Sequence, residues 1–257
     1  MARIIGIANQ KGGVGKTTTA INLSSALAHF KKRVLLIDLD PQSDATRGLG
    51  FDPTLLTRSI YDVLAHNYDI NKTIKRTALK YLDIIPSSLK LASLDSFLTD
   101  KVEDKTLILR EALKNVKKEY EYVVIDCPPS LGILNQNSMV AANGILIPVQ
   151  CEYFAMEAVA TTLAAISKVQ HSANPKLEIE GFLLTMYDPR TRLGTEITTQ
   201  IRGLFKENTF LTTIPRNISI PESSSKGVPV TLFRPSSSGS LAYFSLAREV
   251  MDKANSH

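Results

Sequence analysis

Arg3-Ile4-Ile5-Gly6-Ile7-Ala8, and shortly after it Lys11-Gly12-Gly13-Val14-Gly15-Lys16-Thr17-Thr18, decide how this 257-residue chain folds. A short apolar run, a glycine-rich turn and then Ala20, Leu23, Leu27 and Phe30 at 3-4-3 spacing predict strand, loop and helix in that order. Gly12, Gly13 and Gly15 permit backbone conformations and a close approach that side chains would block. Their N–H groups, with the helix N-terminus, present partial positive charge to phosphate oxygens. In the pattern G-x-x-x-x-G-K-[ST], Lys16 is expected on the β/γ-phosphates and Thr17 on magnesium, with Thr18 in reach of the α-phosphate. The whole segment Lys11–Thr18, Val14 included, is the expected nucleotide-binding loop.

Two departures from the ordinary pattern carry information. Its first glycine is replaced by Gln10, and a second lysine, Lys11, opens the loop. Two ammonium groups on so short a loop repel each other unless a strongly anionic ligand lies between or beside them. A nucleotide in the same subunit satisfies Lys16, and Lys11 is placed to reach a nucleotide held by a second subunit. The loop therefore predicts a nucleotide-dependent dimer switch.

Acids complete the site. Val34-Leu35-Leu36-Ile37-Asp38-Leu39-Asp40 reads as a strand ending in two carboxylates two residues apart, hence on one side of it. Tyr122-Val123-Val124-Ile125-Asp126 ends in the same way and continues into Cys127-Pro128-Pro129-Ser130. Beside a phosphate loop, Asp126 is expected to hold magnesium through its waters, with Thr17 as the direct partner. Asp38 is expected to support those waters or the loop. Asp40 is the candidate to orient the attacking water, because phosphoryl transfer relies on positioning and charge more than on strong base chemistry. Lys11, Lys16 and Asp40 are thus the expected catalytic residues.

The same alternation runs to the end of the chain. Further strands are expected at Leu82–Ile85, Gly144–Pro148, Glu180–Leu184 and Phe210–Ile214, mostly continuous Val, Ile and Leu, as for parallel strands covered on both faces. Val159, Leu163, Ile166 and Val169 mark one helix between them, and Leu241, Phe244, Ala247 and Val250 a final one. The expected fold is one α/β domain over residues 1–257, a doubly wound, mainly parallel sheet of the phosphate-loop NTPase kind. Pro221–Ser240, rich in Ser, Pro and Gly, is expected as a surface loop beside the site.

Composition sets the outer bounds. Hydrophobic residues make up 44% and charged residues 21%, which is globular. Arg3–Ala8 is too short for a signal segment, and no apolar stretch is long enough to span a bilayer, so a cytoplasmic protein with no membrane contact is expected. Cys127 and Cys151 stand singly in apolar surroundings and are expected as buried, reduced thiols. The net charge of +5 favours acidic partners such as nucleic acid. The basic runs Lys72-Lys75-Arg76-Lys80 and Arg110-Lys114-Lys117-Lys118 read first as solvated faces.

With these residues in view, the sequence resembles the deviant Walker A ATPases, and most closely their ParA/Soj chromosome- and plasmid-partitioning branch. The likeness rests on Lys11–Thr18, Leu36–Gln42, Asp126–Ser130, Pro148–Tyr153, Leu183–Asp188 and Ile214–Asn217, and runs from residue 2 to about residue 250. The resemblance implies that ATP and Mg2+ close two subunits face to face, with Lys11 crossing to the partner's phosphates and Gly12 at the crowded interface. It implies slow hydrolysis involving Asp40, and an adenine seat made of Pro215, Arg216 and Asn217. It implies a homodimer that binds double-stranded DNA without sequence preference and a ParB-like activator that stimulates hydrolysis, on the nucleoid. Arg190, Arg192, Lys206, Lys226 and Arg234 are the candidate DNA contacts. Soj-like relatives often carry a basic residue where this chain has Ile218-Ser219-Ile220, which weakens a DNA assignment there. The first strand begins at once, without the extension in which longer plasmid relatives carry an operator-binding domain.

Three other readings share the loop. A MinD-like membrane-cycling ATPase needs a basic, strongly apolar tail, whereas Arg248-Glu249-Val250-Met251-Asp252-Lys253 mixes signs before Ala254-Asn255-Ser256-His257. A nitrogenase-type iron protein needs cysteine ligands beyond Cys127 and Cys151. A module that binds nucleotide without hydrolysing it would have little use for Asp40.

Overall fold

The computed structural model describes residues 2–98, 104–116, 120–152 and 155–255. Lys117, Lys118, Tyr153, Ser256 and His257, singled out above, lie outside the described residues. The strands are β1 (Arg3–Ile7), β2 (Val34–Asp38), β3 (Lys75–Arg76), β4 (Leu82–Ile85), β5 (Tyr122–Asp126), β6 (Gly144–Gln150), β7 (Glu178–Tyr187) and β8 (Thr209–Pro215). They form one sheet in the order β3-β4-β2-β5-β1-β6-β7-β8. β3 runs antiparallel to β4, and the remaining pairings are parallel. Helices α1 (Lys16–His29), α2 (Asp44–Gly48), α3 (Ile60–His66), α4 (Leu94–Leu98), α5 (Ile108–Lys114) and α6 (Ile133–Ala141) are followed by α7 (Ala155–Gln170), α8 (Arg192–Phe205), α9 (Ser219–Ser225), α10 (Val230–Phe233) and α11 (Ser238–Asn255).

The strand period of two builds a core on each face of the sheet. Leu35 and Ile37 of β2, with Val123 and Ile125 of β5, point into one core beside residues of α3 to α8. Their neighbours Val34, Leu36, Tyr122 and Val124 point into the other, beside α1, α2, α10 and α11. Continuous apolar strands are therefore required, and each buried Leu or Ile contributes about 1.5–3 kcal/mol. On α11 the inward stripe is Tyr243, Leu246, Ala247 and Val250. This corrects the expected one, since Leu241 is 54% exposed.

Pro221–Ser240 is not a loop. Pro221 falls in the first turn of α9, where a missing N–H costs nothing. The Ser223 and Ser224 hydroxyls bond back to the Ile220 carbonyl, so the serines extend the turn instead of breaking it. Asn217 accepts from the Ser219 N–H ahead of it.

Two details place the site. The register sets Ile7 level with Asp126, and Asp126 level with Asp38, so three central strands end together. From β1 the chain goes first to β2 on one side, and β6 later pairs on the other; this reversal opens a crevice at the carboxyl ends. At the sheet's outer edge, β8 bulges between Thr209 and Thr213. There the Glu249 carboxylate of α11 accepts from Leu211 N and Thr212 N at 2.7 and 2.8 Å, and Arg202 donates to the Leu211 carbonyl at 3.0 Å.

Candidate functional site: a phosphate loop above two buried acids

The loop after β1 is held from three neighbours. Asn9 donates to the Pro148 carbonyl of β6 and accepts from Lys11 N. Gln10 N donates to the Thr162 hydroxyl of α7 at 3.3 Å, and Thr185 of β7 donates to the Val14 carbonyl at 2.9 Å. Gly13 and Gly15 have φ of +75° and +90°, the left-handed region in which a side chain is strained. Gly12 differs: a Cβ there meets nothing within 4 Å, so the chain itself has room for a side chain.

The two lysines part company. Lys16 is buried, and its ammonium folds back 2.9 Å onto the Lys11 carbonyl. Burial lowers its proton affinity, against the opposing fields of Asp126, Cys127 and Asp40. The Lys11 ammonium leaves the loop and lies 3.4 Å from Glu152, in a pair whose side chains are 27% and 47% exposed. A pair this open contributes about 0–1 kcal/mol and is readily exchanged for a phosphate.

Beneath the loop, Asp38 and Asp126 are adjacent on β2 and β5 and fully buried. Asp38 is saturated: it accepts from Asp40 N at 3.1 Å, from Thr46 N at 2.8 Å and from the Thr46 hydroxyl at 2.7 Å. Among the described residues neither oxygen of Asp126 makes a hydrogen bond of ordinary geometry, the Thr17 hydroxyl being close enough only to act on its charge. Burial raises the pKa of both acids, Asp38 to about 7; Asp38 raises that of Asp126 further, and Asp40 adds to both. The Thr17 hydroxyl and Lys16 are the groups that favour a charged Asp126. A buried carboxylate with unused lone pairs beside a threonine hydroxyl fits a divalent cation or its waters, which would restore the charge burial disfavours. Asp38 thus holds the β2–α2 turn, a role not foreseen for it, since its bonds go to Asp40 and Thr46 and not to the phosphate loop. Asp40 is half-buried at that turn and accepts from Gln42 N at 2.9 Å.

Pro215 and Arg216 lie beside the carboxyl end of β7: Pro215 registers with Tyr187, and Arg216 N donates to the Tyr187 carbonyl. The Asn217 amide donates to the Ser238 hydroxyl at 2.8 Å, tying this segment to α11. The five candidate DNA cations do not share one patch. Arg190 and Arg192 follow β7 at the carboxyl edge, paired with Asp188 at 2.8 Å and Glu196 at 2.7 Å. Arg234 pairs with Glu222 at 3.3 Å, and Lys226 closes α9. Lys206 ends α8 and precedes β8, at the opposite edge of the sheet. Both cysteines are free and buried, and burial pushes the Cys127 thiol up to about 12.

Sequence reading missed Asn9, Thr46, Glu152, Thr162 and Thr185. Asn9 carried a local signal, a short amide between strand and loop. The others act across more of the chain, and no spacing announces such contacts.

Comparison with known proteins gives the family. A family model described as an AAA domain matches residues 2–179. The chain is 44% identical over 250 residues to the sporulation initiation inhibitor protein Soj of Bacillus subtilis (strain 168), covering 97% of this chain and 98% of Soj. It is 42% identical to the chromosome partitioning protein ParA of Myxococcus xanthus (strain DK1622), over 98% of this chain and 89% of that protein. Among solved structures, cobyrinic acid a,c-diamide synthase from Mycobacterium smegmatis with bound ADP and magnesium matches with a TM-score of 0.87 and 33% identity, covering 100% of this chain and 96% of that one. No helix among the described residues is long and apolar enough to cross a membrane. With a phosphate loop opened by its own second lysine and full-length likeness to Soj and ParA, the chain belongs to the ParA/Soj family of chromosome-partitioning ATPases.

Proposed function

We propose that the protein is an ATP-driven partitioning switch, in which binding of ATP and magnesium joins two copies and slow hydrolysis parts them. The observation that carries this reading is the divergence of the two lysines, with Lys16 inside its own cradle and Lys11 outside it on an exchangeable ion pair. A triphosphate supplies the missing negative charge between Lys16 and the N–H groups of Gly12 to Thr18. Lys11 then releases Glu152 and neutralises the nucleotide of the opposing copy across Gly12.

Magnesium, when bound, would supply positive charge against the negative charge that develops on the phosphates. Thr17 would hold it directly, Asp126 would hold it through water, and Asp38 would fix the turn that carries Asp40. Asp40 would orient the attacking water, while Pro215, Arg216 and Asn217 seat the adenine. The joined pair would bind double-stranded DNA through its phosphates, with Arg190 and Arg192 nearest the closing face, and a ParB-like protein would speed hydrolysis and release. The protein would then work in the cytoplasm, on the nucleoid.

The test is DNA binding without nucleotide and with ADP, ATP and a non-hydrolysable analogue, recording the mass of each species. The expected result is a doubled mass and DNA retention with ATP and the analogue alone, weakening steeply with salt as counterions are displaced. A monomer with ATP, or DNA binding indifferent to nucleotide or salt, would defeat the proposal.

A further inference from the structure

Thr185 of β7, within the segment Leu183–Asp188, touches the phosphate loop in two ways. Its buried hydroxyl donates to the Val14 carbonyl at 2.9 Å, and its methyl carbon lies 3.8 Å from where a Cβ on Gly15 would stand. A trans peptide unit is planar and directs its C=O and N–H to opposite sides. With the Val14 carbonyl turned toward β7, the Gly15 N–H must point away from Thr185. A loop that offers N–H groups to an anion has to send the matching carbonyls back into the protein. Val14 is 1% exposed, so its carbonyl needs a partner there.

We propose that Thr185 is a positioning residue for the phosphate cradle: its hydroxyl fixes the orientation of the peptide between Val14 and Gly15 and so aims the Gly15 N–H at the ligand's phosphates. This rests on reading Lys11–Thr18 as the phosphate cradle. It adds that part of the preference for polyphosphates is set from β7, outside the loop. Thr185 touches no ligand in this role. Its effect falls on the phosphate end of the nucleotide and leaves the Pro215–Asn217 end alone.

Thr185→Val keeps the methyl contact and removes the hydroxyl, whereas Thr185→Ser does the reverse. Each variant and the wild type are titrated with ADP and, separately, with inorganic pyrophosphate, which engages the cradle without any base. Thr185→Val is expected to weaken both about tenfold and by the same factor, and Thr185→Ser to stay within about twofold of wild type. A purely structural role would lower the melting temperature and leave both dissociation constants unchanged, which would overturn the inference. So would a loss for ADP with none for pyrophosphate. Should Thr185→Val not fold, Thr185→Ala against Thr185→Ser gives the same contrast at similar volume. A wild-type protein that binds neither probe would overturn the cradle reading and this inference together. Equal binding by wild type and Thr185→Val would overturn this inference alone.

Discussion

The two ends of the central sheet treat buried charge in opposite ways. At the amino end, Glu180 is buried; Arg3 reaches its Oε2 at 2.6 Å and cancels its charge, although Oε1 has no partner among the described residues, and Glu178 lies 3.5 Å from the same guanidinium. Nearby, Glu121 accepts from Lys32 and from Arg33 N, each at 3.0 Å. At the carboxyl end, Asp126 is equally buried but neither of its oxygens makes a hydrogen bond of ordinary geometry among the described residues, and Asp38 adds a second carboxylate beside it. The chain neutralises its own charge where it only needs to stand up. At the carboxyl end it leaves an imbalance, which on the proposed reading a cation and a polyphosphate would correct.

Four experiments break or sharpen this contrast. The largest effect is expected from Lys16→Ala, which removes the cradle's inward cation. ATP affinity should fall about a thousandfold, equivalent to two charge-assisted hydrogen bonds, with the melting temperature little changed. Retained binding in a titration would show that the loop's N–H groups suffice. Next is Arg3→Ala, which strands Glu180 and should cost about 3 kcal/mol in denaturant unfolding while leaving ATP affinity alone. If nucleotide affinity moved as much as stability, the two ends would not be independent.

Asp126→Asn should act the other way, raising the melting temperature of nucleotide-free protein by a few degrees at pH 7. The sign follows from the raised pKa of the acid pair. An acid whose folded pKa lies above its unfolded value stabilises fully below about pH 4, and that contribution is lost as pH rises through its folded value, about 7 for Asp38. The gap between variant and wild type should therefore widen as pH rises above about 4, where the unfolded carboxyl ionises, and close when magnesium and nucleotide are added. No gap at pH 7 would mean the carboxylates are not strained in the free protein. The smallest effect on the chain itself is expected from Gly12→Val, since open space surrounds that position. Its melting temperature should match wild type, yet sedimentation with ATP should show a monomer. A normal ATP-dependent dimer would remove Gly12 from the interface.

Much of the carboxyl end was legible in sequence because its parts are local. The glycines, Lys16, Thr17 and the strand-terminal acids each sit in a short segment whose period or spacing states its purpose. The amino end was not legible, since Arg3 and Glu180 meet only through the sheet order. The same holds for Lys11 with Glu152 and for Val14 with Thr185. β3 escaped notice because Lys75-Arg76 has no apolar pattern and exists through its ladder with β4. α9 was misread because serine favours turns until the Ile220 carbonyl gives its hydroxyls a helical partner.

The bulged outer strand bears on how such molecules behave in a crowd. Leu211 stands 79% exposed on β8, an invitation for another sheet to zip alongside. Glu249 has already claimed two successive amides there. Lateral pairing along this edge is thereby discouraged, because a neighbouring strand would find those donors already spent.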